Sequence, residues 1–125
     1  MILLAIAVGG GTGALLRHLA NGAVQARFGA GFPLGILLVN VVGCLAIGII
    51  AGLIASARVQ LGEIGRAFII VGVLGGFTTF SSFGLDTFTL ARGGQFGAAA
   101  FNAVGQLLFG LAAVWAGYAL AQIGQ

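Results

Sequence analysis

The sequence predicts an all-α membrane protein with four transmembrane helices, and three observations lead to this prediction. Hydrophobic residues make up 60% of the 125 residues, whereas charged residues make up only 6%. Soluble domains carry about 25% charged residues, so this composition cannot cover a water-facing surface. Four apolar stretches each reach about 20 residues, the length that a helix needs to cross the hydrocarbon core. We expect residues 1–125 to form one domain made of these four spans.

The first two spans are almost continuous apolar runs. The first covers residues 2–24 and is interrupted by Arg17. Because no basic residue precedes its apolar core, we interpret it as a retained transmembrane helix and not as a signal peptide. The second span covers residues 32–55, with Pro33 in its first turn, where proline is tolerated. Asn40 is the one strongly polar residue of this span.

The third span, residues 63–91, contains the segment GGFTTFSSFG, which interrupts its apolar character. Gly75 lies about 15 Å along the helix from Gly65 at 1.5 Å per residue, near the middle of a core roughly 30 Å thick. Glycines followed by two threonines favour a non-helical segment, so we predict a break at residues 75–79. A kinked packing helix is the alternative. The fourth span covers residues 96–121.

The predicted break brings polar and aromatic groups to membrane depth. Unwound backbone is tolerated there only where it is buried in protein or lines a wet cavity. Freed carbonyl oxygens suit a small cation. Four hydroxyl side chains follow and can either satisfy backbone groups or line an ion path: Thr78, Thr79, Ser81 and Ser82. Phe80 and Phe83 share a helix face, and their electropositive ring edges can contact a dehydrated anion, with plain packing as the alternative.

Other polar side chains inside the spans have more than one interpretation. Asn40 is either an interhelical hydrogen-bond partner or an amide donor in a pore. Arg17 either extends its guanidinium to the interface or attracts anions at a vestibule. Asn102 and Gln106 lie four residues apart and therefore share one face, which indicates a polar seam. Asp86 lies in the last part of the third span and is either a helix-end residue or part of a vestibule.

The glycine and arginine content predicts how copies of the chain associate. The chain has 24 glycines, many of them three to five positions apart, and small faces of this kind let membrane helices approach closely. A four-helix unit of this size rarely encloses a pathway alone, so we expect an oligomer. The five arginines divide almost evenly between the two ends of the bundle, so the positive-inside rule assigns no orientation. Insertion in both orientations, with an up copy paired to a down copy, is one explanation.

Several function classes are disfavoured by the same sequence. Five scattered arginines form no basic patch, so we expect no nucleic-acid partner. There is no nucleophile–base pair, phosphate-binding loop or zinc-ligand spacing, so we do not expect an enzyme. One alternative to an ion channel is a small dual-topology multidrug exporter, which needs an acid inside the membrane where this chain offers only Asp86. The other is a structural membrane subunit without transport.

Three segments together resemble the Fluc (CrcB) family of fluoride channels: GGGTGALLRH, LLVNVVGCLAIG and GVLGGFTTFSSFGLD. The resemblance covers all four spans in order, and the string Gly-Gly-Phe-Thr-Thr-Phe-Ser-x-Phe is highly specific. It implies a fluoride-selective channel in the bacterial inner membrane, which exports fluoride passively and relieves fluoride toxicity. It also implies an antiparallel, dual-topology homodimer with two fluoride pathways.

The resemblance further implies roles for single residues. Backbone carbonyls of Gly75 and Thr78 would hold a structural sodium ion at the dimer interface. The pore positions would be those of Asn40, Phe80 and Phe83, with a hydroxyl track formed by Ser81, Ser82 and Thr79. Arg17 would take the place of the family's arginine at the vestibule. Asn102 and Gln106 stand where a tyrosine and a serine are more usual, so the resemblance assigns no role to either.

Overall fold

The computed structural model describes residues 1–124, which form helices joined by short turns. We number the helices α1 (Ile2–Phe28), α2 (Leu34–Ala55), α3 (residues 63–77), α4 (Phe80–Arg92) and α5 (Phe96–Ala121). Helices α3 and α4 together make the third span, Glu63–Arg92, which is 30 residues long. Within the described residues, four spans are therefore long and apolar enough to cross a membrane, as the composition predicted.

The helix ends differ from the predicted bounds by a few residues. α1 continues four residues beyond the predicted end at residue 24, because the sequence up to Phe28 contains no helix breaker. It stops at Gly29, whose φ of 83° is readily available only to glycine, and the Gly29 N–H donates to the carbonyl of Gln25 at 2.8 Å. α2 begins at Leu34, directly after Pro33, instead of at residue 32.

The helices pack as two tight pairs, α1 with α3 and α2 with α5. In the first pair, a Cβ added to Gly72 would lie 2.9 Å from the Cα of Gly9, so the two backbones are nearly in contact. In the second pair, a Cβ added to Gly52 would lie 2.8 Å from the carbonyl oxygen of Tyr118. These contacts confirm the close approach that the glycine spacing predicted, and they fix the relative height of each pair.

The third span is irregular in two places. Residues Ala67–Leu74 form a π-helix, a rare conformation that is frequent near functional sites and that nothing in the sequence predicts. The break follows at Thr78 and Thr79, halfway along the span, where both residues are extended. The prediction of a break at 75–79 was therefore too wide, because Gly75–Phe77 is still helical. Gly76 packs against the backbone of Gly10 in α1, so glycine is needed at this position for its small size and not for its flexibility.

The threonines make the break for a local reason. Branching at Cβ favours extended backbone, and Thr79 is the N-cap residue of α4. Its Oγ1 accepts a hydrogen bond from the N–H of Ser82 at 3.2 Å. Thr78 closes α3, because its N–H and its Oγ1 both donate to the carbonyl of Leu74 at 3.0 Å. The Thr79 hydroxyl thus pairs an N–H that has no partner within the first turn of α4, whereas the Thr78 hydroxyl adds a second donor to the Leu74 carbonyl.

Candidate functional site

A cavity of about 410 Å³ lies beside the break and is lined by residues from four helices, α2 to α5. Most of its wall is apolar, and the polar side chains on it are those of Asn40, Thr78, Thr79 and Gln106. Gly75 also lines it. A mostly apolar cavity with a few convergent polar groups is the usual form of a small-ligand site.

Asn40 connects α2 to both the break and α5. Its Oδ1 accepts the N–H of Thr79 at 2.8 Å, and its Nδ2 donates to the carbonyl of Thr79 at 3.0 Å. The second hydrogen of Nδ2 is donated to Oε1 of Gln106 at 2.7 Å. Both donors of the Asn40 amide are therefore engaged, and the amide stands in for the helical partners that Thr79 lacks.

Phe80 and Phe83 lie together on one face of α4, as their spacing predicted. Their ring centroids are 5.3 Å apart and the ring planes are tilted by 57°. Both rings line the cavity, and Phe80 is 79% exposed in the single chain. This arrangement leaves the edge of the Phe80 ring accessible, and a ring edge is the electropositive part of an aromatic side chain.

Three of the four hydroxyl groups of the GGFTTFSSFG segment form a cluster between this cavity and a second one. Oγ1 of Thr79 lies 3.3 Å from Oγ of Ser81 and 3.2 Å from Oγ of Ser82. Thr79 lines the first cavity, whereas Ser82 lines the second, which has a volume of about 370 Å³. The Thr79 and Ser82 hydroxyls are therefore in contact with each other and connect the walls of the two cavities.

The second cavity is the more polar of the two. Its polar lining residues are Asn21, Gln25, Ser82, Asp86, Thr89 and Gln95. Within the described part of the chain, Oδ2 of Asp86 and Oδ1 of Asn21 are buried and accept no hydrogen bond. The cavity thus carries two buried oxygen acceptors without a protein partner.

Arg17 reaches the break from α1 and lines neither cavity. Its Nη1 donates to the carbonyl oxygen of Thr78 at 3.1 Å. A charged donor on a freed carbonyl is among the stronger hydrogen bonds available inside a protein. The structure therefore puts the guanidinium on the broken backbone, and its role at a vestibule stays a prediction.

The residues predicted as pore or metal positions thus converge around the break, and the Arg17 guanidinium meets it at the Thr78 carbonyl. Asp86 instead lines the second cavity. Sequence reasoning gave no role to Gln106 and Asn102 and did not single out Thr87. Nε2 of Gln106 donates to Oδ1 of Asn102 at 3.1 Å, and Nδ2 of Asn102 donates to Oγ1 of Thr87 at 2.9 Å. The shared face of the two amides was visible in the sequence, but their partners on other helices were not.

Comparison with known proteins places the whole chain in one family. The model of the family described as "CrcB-like protein, Camphor Resistance (CrcB)" matches residues 4–118. A protein of Opitutus terrae named "Fluoride-specific ion channel FluC" is 48% identical over 98% of this chain and 93% of its own length. A protein of the same name from Solibacter usitatus is 46% identical over 98% of this chain and 99% of its own length.

A third relative has a lower sequence identity but a similar coverage. The protein of Roseiflexus sp., also named "Fluoride-specific ion channel FluC", is 41% identical over 98% of both chains. With four apolar helices and relatives that match over nearly the full length, the chain is an integral, multi-pass membrane protein. The match of the family model over residues 4–118, together with these relatives, shows that the chain belongs to the CrcB family.

Proposed function

We propose that the chain forms a fluoride-selective channel that lets fluoride leave the cell passively. The observation that carries this proposal is the placement of the Phe80–Phe83 pair and the Thr79 hydroxyl on one cavity, with Ser82 on the next. The names of the relatives from Opitutus terrae and Solibacter usitatus support fluoride as the ion. The relatives also support the inner membrane of a bacterium as the location.

The groups along this route suit a small anion that has lost water. The edges of the Phe80 and Phe83 rings offer weak positive potential without the strong binding of a cationic group. Hydroxyls of Thr79, Ser81 and Ser82 can turn their protons towards an anion because a hydroxyl rotates freely. Each group stabilises the ion only modestly, so the ion can both enter and leave. An ion that crosses unchanged needs no catalytic residue, so we infer no enzymatic activity.

We further propose that two copies pair in an antiparallel homodimer. Phe80 lines a cavity and yet is 79% exposed in the single chain, so a second copy would complete the wall around it. The nearly even division of five arginines between the ends supports insertion in both orientations. A C-terminal tag should then be accessible from both sides of the membrane. Labelling from one side only would contradict the antiparallel arrangement.

The break also fits a structural sodium ion held by carbonyl oxygens of Gly75 and Thr78. Both residues line the same cavity, and the N–H of Thr79, the helical partner of the Gly75 carbonyl, donates to Asn40 instead. The Thr78 carbonyl accepts from Arg17 and keeps a second lone pair. When bound, the ion would supply positive charge that stabilises carbonyls lacking helical partners. Replacing sodium by N-methylglucamine in the buffer should lower the melting temperature of the dimer, and no change would contradict the site.

A proton-coupled exporter is the second candidate, because Asp86 lines the second cavity with an oxygen that accepts no hydrogen bond. A membrane carboxyl of this kind is what proton exchange requires. The two functions differ in their dependence on Asp86 and on a proton gradient. A channel should conduct fluoride without a pH difference and should retain its flux in Asp86→Asn.

The deciding experiment is fluoride efflux from liposomes that contain the purified full-length protein, with valinomycin to balance charge and equal pH on both sides. Phe80→Ile keeps the bulk but loses the ring edge, so efflux should fall roughly tenfold. Phe88→Ile is the matched control, because Phe88 lies on the same helix, is 60% exposed and lines neither cavity. Efflux that requires a proton gradient, or equal loss in both variants, would refute the channel mechanism.

A further inference from the structure

Asn102 is the most deeply buried polar residue among those described, with 0% of its surface exposed. It lines neither of the two cavities, so it cannot touch an ion that passes through them. Its Nδ2 donates to Thr87, and its Oδ1 accepts from Gln106. A buried amide costs free energy unless its hydrogen bonds are made, so Asn102 depends on Thr87 and Gln106.

Asn102 belongs to a continuous series of five hydrogen bonds that begins and ends on the third span. We call this series the amide relay. In order, each donor and acceptor are Thr79 N–H to Asn40 (2.8 Å), Asn40 to Gln106 (2.7 Å), Gln106 to Asn102 (3.1 Å), Asn102 to Thr87 (2.9 Å) and Thr87 to the Phe83 carbonyl (2.8 Å). Every bond donates in the same direction, from the break towards Phe83, and bonds aligned in this way polarise one another.

The direction of the amide relay is fixed at both ends, because the Thr79 N–H can only donate and the Thr87 hydroxyl donates to the Phe83 carbonyl. The hydroxyl proton of Thr87 is donated to the carbonyl of Phe83, so Oγ1 can only accept from Asn102. Asn102 must therefore present its NH₂ to Thr87 and its Oδ1 to Gln106. Gln106 in turn presents its Nε2 to the Oδ1 of Asn102, so its Oε1 faces Asn40.

Asn40 is the last amide whose orientation this series fixes. With Gln106 accepting, the NH₂ of Asn40 faces α5 and its Oδ1 faces the N–H of Thr79. A flipped Asn40 would bring its NH₂ against that N–H, so two donors would meet and the break would lose its partner. The Thr79 backbone and the amide relay thus require the same orientation of Asn40, and the relay supports it from residues that lie on other helices and away from the cavities.

We propose that Thr87 and Asn102 are positioning residues, which act through Gln106 to hold the Asn40 amide and the break at Thr79 in the conducting arrangement. The effect on flux rests on the proposed fluoride channel, whereas the effect on the Thr79 backbone does not. Gln106 lines the first cavity and so meets the ion path as well. Thr87 and Asn102 line neither cavity, which makes them the clean test of positioning.

The first experiment compares Thr87→Val with Thr87→Ser in the full-length protein. Valine keeps the shape but loses the hydroxyl, so fluoride efflux should fall about threefold or more, the effect of one average interhelical hydrogen bond in a membrane. Serine keeps the hydroxyl and should restore efflux. Thr12→Val is the matched control, because Thr12 also donates to the carbonyl four residues earlier but, in the described residues, accepts from no side chain. Loss of flux in Thr12→Val equal to that in Thr87→Val would overturn the proposal.

The second experiment reads the break directly by hydrogen exchange of the Thr79 N–H. Thr87→Val and Asn102→Leu should each speed this exchange about threefold or more, while the exchange of Ile50 in α2 should stay unchanged. The double variant should match Asn102→Leu, because the amide relay is already cut in that variant. Additive effects, or a Thr79 amide that exchanges as in the wild type, would refute positioning.

These measurements test the proposed fluoride channel and the proposed positioning of the break separately. A wild-type protein that moves no fluoride would overturn the proposed function, and Thr79 exchange would still decide whether the amide relay holds the break. If Thr87→Val fails to assemble, the Asn102→Leu variant provides the same comparison from the other side of their hydrogen bond. Thr79 exchange equal to that of the wild type in a folded Asn102→Leu variant would end the proposal.

Discussion

Replacing Asn40 with alanine should destabilise the protein more than any other single loss of a polar side chain near the cavities. The amide makes three hydrogen bonds, of 2.7, 2.8 and 3.0 Å, two of them with the backbone of Thr79. Interhelical hydrogen bonds in membranes average about 0.6 kcal/mol, so three bonds contribute about 2 kcal/mol. The effect should exceed this sum, because Thr79 is only 9% exposed and its N–H and carbonyl would be left without partners.

Reversible unfolding of the full-length protein in detergent would measure this free energy, with two comparison variants. Gln106→Met removes only the 2.7 Å bond to Asn40 and the bond to Asn102, so it should destabilise the protein less than Asn40→Ala. Val42→Ala removes side-chain carbons from a residue of the same helix that is 52% exposed, and should change stability by about 0.5 kcal/mol or less. An Asn40→Ala protein as stable as Val42→Ala would refute the claim that this amide holds the break.

Two further predictions concern the contacts around the break. Gly76→Ala should destabilise the protein by about 1–3 kcal/mol, because the new Cβ would lie 3.0 Å from the Cα of Gly10, whereas Gly22→Ala, with nothing within 4 Å, should be neutral or stabilising. Thermal unfolding of both variants checks this, and equal melting temperatures would contradict it. Arg17→Met should lower the free energy of unfolding by about 1.5–3 kcal/mol, because the charged hydrogen bond to the Thr78 carbonyl is lost. Arg17→Lys should recover part of this loss. An Arg17→Met protein as stable as the wild type in the same unfolding assay would show that the guanidinium contributes no charged hydrogen bond.

The four spans were predictable because each follows from local composition. A helix of about 20 apolar residues depends only on its own sequence and the thickness of the membrane. The same is true of the shared face of Phe80 and Phe83, which requires only that α4 be helical. Features that are fixed within one helix were therefore accessible from the sequence.

The position of the break was predicted less well, because two properties of glycine compete. Glycine permits unusual backbone angles, and it also permits close packing. The sequence alone does not say which property is used. Gly76 stays helical because the backbone of Gly10 lies where a side chain would be, and the extended residues are the threonines that can cap the helix ends themselves. Helix packing, which is a tertiary property, decided between the alternatives.

The partners of Asn40 and Asn102 could not be predicted, because they depend on how helices are rotated against each other. Spacing of four residues places Asn102 and Gln106 on one face of α5 but does not say which helix that face meets. The close packing of α2 on α5, where Gly48 contacts the backbone of Val114, fixes that rotation and brings Gln106 to Asn40. The polar seam was thus visible, while its function in orienting another residue was not.

The scattered polar residues of the spans acquire a common explanation at the break. Breaking a helix in hydrocarbon leaves backbone groups that only protein or enclosed water can satisfy. Here the Thr78 carbonyl takes its partner from Arg17 in α1, and both backbone groups of Thr79 take theirs from Asn40 in α2. Asn40 is in turn held by Gln106 in α5, so two spans bind the non-helical segment directly and the fourth span supports it through Asn40. A bundle this small can therefore keep extended backbone halfway along a span, because its few polar side chains converge on the place where the helix has lost its own hydrogen bonds.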